Sequence, residues 1–315
     1  MTGGVRAVRR GYASVVPVHV PAGVAAFLPG TAVAVAAAGM FAVGSVLQHE
    51  AASRSTSSGR LELRQLVAKP GWVVGQSATV LGTLLQVTAL ALAPVAIVQP
   101  LLAGALVIAM GIRSLRDHCL PARLEVLGAA CTCAGLAGFL TAAHPARGTG
   151  GQLPSPGAVA VAVLLVVALV AGCSRLGRGP RGALACGASA GIAAGVAAVL
   201  ISTALKSFSE RGFLHTVTGP ALWAALVSAI AAQWAAQQAY SRGSLSWSLP
   251  ALTLLDPLAA VPAARLLIGE RLEPGHAVVW APAAAVAVLG VILLARTGEG
   301  CRRPLVFRRR QRAMR

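Results

Sequence analysis

Long apolar runs broken by proline and glycine leave this chain of 315 residues little choice of fold. A membrane-spanning helix needs about 20 mostly apolar residues. Nine stretches qualify or come close: 31–52, 71–93, 95–116, 123–143, 158–174, 183–205, 220–241, 247–268 and 276–295. They are too long, and too rich in Ala and Leu, to be strands. Breakers fall between them, at Pro70-Gly71, Pro94, Pro121, Pro154 to Gly157, Gly179-Pro180, Gly219-Pro220 and Pro274-Gly275. Lipid leaves no exposed backbone unpaired, which excludes open sheets. Charged residues make up 11% of the chain, against roughly 25% in an average soluble domain. A soluble globular protein is excluded on that ground. The expected fold is all-α, a polytopic membrane bundle of about nine transmembrane helices.

The charge balance is strongly basic, with 27 Lys+Arg against 9 Asp+Glu. Aromatic content is 4%, and the arginines fall between apolar runs rather than on one face, so nucleic acid is not the expected partner. The connections on one side of the bundle, with the C-terminal tail, carry 19 of these cations, and the other side carries 8. The positive-inside bias then puts the C-terminus in the cytoplasm of a multi-pass cell-membrane protein, with the N-terminus outside. Arg6, Arg9 and Arg10 oppose that placement. A misplaced start, a cleaved segment and a partial helix over 15–30 each account for them. The tail 296–315, with Arg302-Arg303, Arg308-Arg309-Arg310, Arg312 and Arg315, is a polybasic segment expected on anionic lipid headgroups. The six cysteines show no CxxC pair and read as small hydrophobes.

The second half echoes the first. Gly39 meets Gly191 at an offset of 152, Pro70 meets Pro220 and Pro100 meets Pro250 at 150, and Gly138 meets Gly290 at 152. The expected organisation is an N-terminal tail (1–30), a first four-helix repeat (31–143), a linker and connecting helix (144–182), a second repeat (183–295) and the basic tail. The first member of the second copy is the sixth span, five crossings after the first. Equivalent helices therefore run in opposite directions, giving an inverted-topology repeat of the kind many secondary transporters use.

The run Gly39-Met40-Phe41 to Leu47-Gln48 resembles the opening helix of the drug/metabolite transporter superfamily. Trp72, Gly75, Gly82, Gln86 and Ala89-Leu90, through Val98-Gln99-Pro100-Leu101-Leu102, resemble its NIPA-like branch. Ala239-Tyr240 through Pro250 to Gly269-Glu270-Arg271-Leu272 resembles an EamA-type ending. The resemblance covers about residues 31–295 and implies a helical transporter with a central cavity between two inverted repeats. It implies magnesium as cargo for a NIPA-like member, and metabolites or amino acids for an EamA-like one.

Polar groups inside lipid need partners or a wet cavity. Gln233, Gln237 and Tyr240 share one helix face, and Gln76, Thr79, Thr83 and Gln86 form a comparable stripe on the counterpart helix. Two such stripes make a neutral, hydrogen-bonding cavity wall or plain interhelical glue. Gln99 before Pro100 is a further cavity candidate. Asp256, followed by Pro257, is the acid nearest the middle of a span, and reads as a proton or cation site or as a buried hydrogen-bonding carboxyl. Gln48-His49-Glu50 closes the first span as a cytoplasmic mouth or an interfacial terminus. Gly187, Gly191 and Gly195 form a doubled GxxxG packing stripe. The expected function is secondary transport of a small solute, the alternatives being a NIPA-like Mg²⁺ pathway or a non-transporting membrane scaffold. No phosphate-binding loop or nucleophile constellation points to an enzyme, and no cofactor is expected. The partners expected are the solute or ion and the bilayer, and a homodimer is left open.

Overall fold

The computed structural model describes residues 28–54, 56–57, 60–61, 63–93, 95–118, 120–142, 145–146, 154–269, 271–272 and 277–297. The N-terminal arginines, the polybasic tail beyond Thr297, Glu270 and the side chain of Gln99 lie outside the described residues. The described chain is helical throughout its long elements. In order these are α1 (Leu28–Arg54), α2 (Leu63–Val67), α3 (Pro70–Leu92), α4 (Val95–Ala103), α5 (Ala105–Arg116), α6 (Arg123–Ala142) and α7 (Pro156–Ser174). They are followed by α8 (Pro180–Thr218), α9 (Pro220–Arg242), α10 (Leu245–Ile268) and α11 (Ala277–Thr297). Two antiparallel pairings of two residues each complete the order: β1 (Thr56–Ser57) with β2 (Arg60–Leu61), and β3 (Pro145–Ala146) with β4 (Arg271–Leu272). The second pairing joins the linker between the halves to the turn that follows α10.

Local sequence sets these boundaries. Pro70, Pro156, Pro180 and Pro220 open α3, α7, α8 and α9, where a missing N–H costs nothing. Ser155 caps α7, its Oγ accepting from Ala158 N at 3.2 Å. Gly269 ends α10 at φ +68°, the left-handed conformation usual after a helix.

Among the described residues five helices are long and apolar enough to cross a membrane: α1, residues 123–140 of α6, α7, α8 and α10. Residues 281–296 of α11 form a shorter apolar helix. Of the nine expected spans, 71–93, 220–241 and 276–295 are helical but are not among these five, and two others differ in form. The run 95–116 is two helices, because the chain tightens at Gly104, whose N–H donates to Leu101 O at 3.0 Å. Pro100 inside α4 already lacks the donor that a continuous helix would use there. The run 183–205 is part of a helix of 39 residues, roughly 58 Å long at 1.5 Å per residue. It kinks at Gly212 (φ +82°), and its last turns carry Lys206, whose Nζ sits 3.8 Å from Glu210 Oε1. Ser202 and Thr203 donate to Val199 O of their own helix at 2.7 and 2.9 Å.

Glycine decides how the helices cross. Gly187, Gly191 and Gly195 of α8 lie against the carbonyls of Ser248, Leu252 and Asp256 of α10, so these two helices run side by side in the same direction. Gly135 and Gly138 of α6 meet Ala287 and Ala283 of α11, while Gly128 meets Gly290 and Leu294, so that pair runs antiparallel. Gly44 of α1 faces Gly75 and Thr79 of α3. An apolar cluster then joins the halves, bringing Ala38, Ala42 and Val46 of α1 together with Leu106 and Ala109 of α5, Ala235 and Tyr240 of α9, and Leu249 of α10.

A Cβ on Gly135 would stand 2.4 Å from Ala287 N, so the backbones of α6 and α11 would have to part. Gly135→Leu should lower stability by more than about 3 kcal/mol, the upper end for overpacked cores. A Cβ on Gly39 meets nothing within 4 Å, and Gly39→Ala should hold stability or raise it by up to about 1 kcal/mol through helix propensity. Denaturation midpoints in one detergent compare the two.

Candidate functional site

The crossing of α1 over α3 places Gln48 against Gly75. Gln48 Nε2 donates to Gly75 O at 3.2 Å and to Thr79 Oγ1 at 2.7 Å. Its Oε1 accepts from Gln237 Nε2 at 2.5 Å and from Gln233 Nε2 at 3.3 Å. An amide has two donors and two acceptor lone pairs, and Gln48 uses all four. Gln233 Nε2 also donates to Gln76 Oε1 at 2.5 Å, and Trp72 Nε1 donates to Gln237 Oε1 at 3.2 Å. Two glutamines and a threonine thus converge on Gln48, which is 3% exposed, and Gln76 and Trp72 join the cluster through Gln233 and Gln237, the latter 2% exposed. The cluster carries no net charge, which keeps its cost in an apolar bundle low.

These contacts tie α1 and α3 of the first half to α9 of the second. They lie near one end of the bundle, since Gln48 stands six residues before the last residue of α1, Gln237 five before the end of α9, and Trp72 two after the start of α3. Beside them Tyr240 OH donates to Ser45 Oγ at 3.4 Å, and the Tyr240 and His49 rings meet edge to face, centroids 6.2 Å apart.

The expected residues are sorted by this geometry. Gln76, Thr79, Gln233 and Gln237 come together, with Tyr240 one turn further along. Thr83 is exposed and donates to Thr79 O of its own helix at 3.0 Å, and Gln86 is half-buried further along α3. The Gln48-His49-Glu50 trio divides. Gln48 is the hub, His49 packs on Tyr240, and Glu50 pairs with Arg116. Asp256 is half-buried on α10 beside Gly191 and Gly195, and its carboxylate makes no hydrogen bond among the described residues. Among the described residues no group of three His, Cys, Asp or Glu side chains gathers.

Three participants escaped the sequence reading. Trp72 carried no stripe of its own. Arg113 and Arg242 counted only as loop cations. Arg113 pairs with the wholly buried Glu125, and Arg242 donates to Ser174 O at 2.9 Å and Leu176 O at 3.1 Å, capping the end of α7. The usable signal was position alone, because each stands in the first or last turn of its helix.

No family model matches the chain, and no solved structure matches it. A protein of Corynebacterium glutamicum described as uncharacterized is 26% identical over 274 residues, covering 84% of this chain and 93% of that protein.

Gln48→Ala strands the Nε2 donor of the buried Gln237 and should cost about 2 kcal/mol, within the range for buried unpaired polar groups. Thr83→Ala, at an exposed site, should change stability by less than about 0.5 kcal/mol. Unfolding midpoints in the same detergent distinguish the two.

Proposed function

We propose that this chain is an integral membrane secondary transporter of the drug/metabolite type, moving a small polar solute by alternating access. The observation that carries the reading is the neutral amide cluster bridging α1 and α3 to α9 at one end of the bundle. Hydrogen bonds of this kind exchange for bonds to water or to a polar solute with little net cost, whereas a dry apolar seam does not. The cluster therefore serves as a closure that a solute with its own donors and acceptors can open.

The inverted repeat belongs to this proposal and has three supports. The 150–152 offsets pair α1 with α8, α3 with α9, the α4–α5 run with α10, and α6 with α11. In each half the first of these helices packs on the next two. The paired helices α6 and α11 run antiparallel across Gly128, Gly135 and Gly290, as an inversion requires. Nine spans in a cell membrane follow, with the arginine-bearing end and the C-terminus in the cytoplasm.

In this scheme Asp256 couples transport to a proton or cation gradient. Its support is a carboxylate in the middle of α10 without a hydrogen-bond partner among the described residues, next to the helix crossing that would move. The Mg²⁺ alternative rests on that same single acid, and Mg²⁺ usually takes one or two carboxylates along with several retained waters. A scaffold that transports nothing is the third reading.

Purified protein in liposomes should accumulate a polar solute from a screened panel when a proton gradient is imposed. Asp256→Asn should cut gradient-driven uptake at least tenfold and leave solute exchange without a gradient intact. Mg²⁺ flux alone would favour the second reading, and no flux of any kind the third.

A further inference from the structure

Away from the amide cluster, α7, α8 and α9 meet around two cysteines. Cys173, next to the last residue of α7, is buried, and Cys186, in the second turn of α8, is 0% exposed. The turn 175–179 between the helices brings them together. Cys186 Sγ donates to Cys173 O at 3.4 Å, Cys173 Sγ donates to Val170 O at 3.2 Å, and the two sulfurs lie within hydrogen-bonding reach of each other. Arg242, the last residue of α9, donates from Nη1 to Cys186 Sγ at 2.9 Å while its other nitrogens hold Ser174 O and Leu176 O. Ala185 and Ala239 pack against the pair on its apolar side.

Two thiols side by side bind a soft metal ion or become a disulfide. The first fits poorly. The pair offers two ligands, no third His, Cys, Asp or Glu side chain joins it among the described residues, and the guanidinium on Cys186 repels a cation. The second fits. Reactive cysteines are found beside cations, which favour attack by the sulfur as an anion. Helix ends joined by a short turn yield more readily than helix centres, and the bond needs the sulfurs about 2 Å apart. Arg242 is half-buried and Arg175 and Arg178 of the turn are exposed, so a small oxidant has a short path from water. Cys131 and Cys133 offer a contrast within the chain: both are half-buried on α6, two positions apart and therefore on different faces.

We propose that Cys173 and Cys186 are a redox modification site, a dithiol activated by Arg242 that a hydroperoxide converts to a disulfide stapling α7 to α8. The step balances with hydrogen peroxide as the oxidant. One sulfur attacks a peroxide oxygen, the O–O bond breaks, and the products are a sulfenic acid and a water that carries the thiol's proton. The second sulfur then attacks the sulfenic sulfur. The S–S bond forms, the S–O bond breaks, and a second water leaves with the second thiol's proton. Two thiols lose two electrons and one peroxide becomes two waters. The bond removes the donations from Cys173 to Val170 O and from Cys186 to Cys173 O, both within α7 and α8. Arg242 keeps its two carbonyl acceptors, so α9 stays anchored to the end of α7.

The proposal does not rest on the transport reading, and its test needs no solute. The full chain, reduced beforehand in lipid nanodiscs, is treated with hydrogen peroxide, blocked with iodoacetamide and cut with trypsin. The exposed Arg175, Arg178 and Arg181 lie between the two cysteines, so cleavage there separates them. Mass spectrometry then reads peptide 148–175 joined to peptide 182–206, a link that dithiothreitol parts. The linked pair should form about tenfold faster than Cys131 or Cys133 loses its thiol, the advantage of a paired sulfur beside a cation. Arg242→Gln should slow linkage about fivefold, and Arg242→Lys, which keeps the charge, should not. Cys173 and Cys186 still free after Cys131 is oxidised, sulfinic acid at the pair with no link, or an unchanged rate in Arg242→Gln would each overturn the proposal. The comparison among cysteines is made within one native chain, so it decides the matter even where the Arg242 variants do not fold.

Discussion

The buried amide cluster of this bundle depends on backbones that approach at glycine. Lipid is as apolar as leucine, so helices in it gain little from hiding apolar surface and hold together by close packing and hydrogen bonds. Gly44 and Gly75 let α1 and α3 come near enough for Gln48 to reach a main-chain carbonyl of its neighbour. A side chain at Gly75 would stand 3.0 Å from Gln48 Cγ and push the hub away. The same device recurs where α8 meets α10 and where α6 meets α11. The hydrogen-bonded cluster is thus a consequence of the crossing, and the crossing is written in residues that have no side chain.

Two polar layers share one end, and they differ in kind. The deeper layer is neutral, with amides that satisfy each other. The other holds the ions, Glu50 with Arg116 and Glu125 with Arg113, in the first or last turns of their helices or near them. That order follows the cost of burial, since an unpaired ion is far more expensive in an apolar interior than an amide. Glu125 is the exception, wholly buried and tolerable because Arg113 and Ser246 both reach it.

Much of this was legible in the chain, for identifiable reasons. Proline cannot donate, so Pro70, Pro156, Pro180 and Pro220 announce helix starts. The α9 stripe of Gln233 and Gln237 follows from the helical repeat alone. The break at Gly104 was not legible, because the apolar run continues through it without a change in composition. Thr83 and Gln86 kept the period of Gln76 and Thr79 but not their environment: α9 reaches α3 through Trp72 and Gln76, and Thr83 beyond them is exposed. Gln48 read as a mouth because it sits near a helix end, and only the tilt of α1 over α3 turns it inward. Glu125 and Arg113 are separated by a turn and united by a third helix 121 residues away, which no local pattern records.

The distribution of dry and polar seams also bears on how the halves would move. α6 and α11 meet along glycine and alanine from Gly128 to Gly138, with no hydrogen bond between side chains of the two helices among the described residues. A seam of that kind keeps its contacts through small rotations, because nothing directional has to break. The seam between α1 and α9 is directional, and rotation about the first would open the second. In the proposed cycle the glycine seam is the pivot and the amides the closure. A closure made of neutral groups that exchange readily with water sets a lower barrier than one made of ions. It follows that the slow step would lie where the Arg113–Glu125 ion pair of the first half is hydrogen-bonded to Ser246 of α10, since those charge-assisted bonds must exchange for water before α5 and α10 separate.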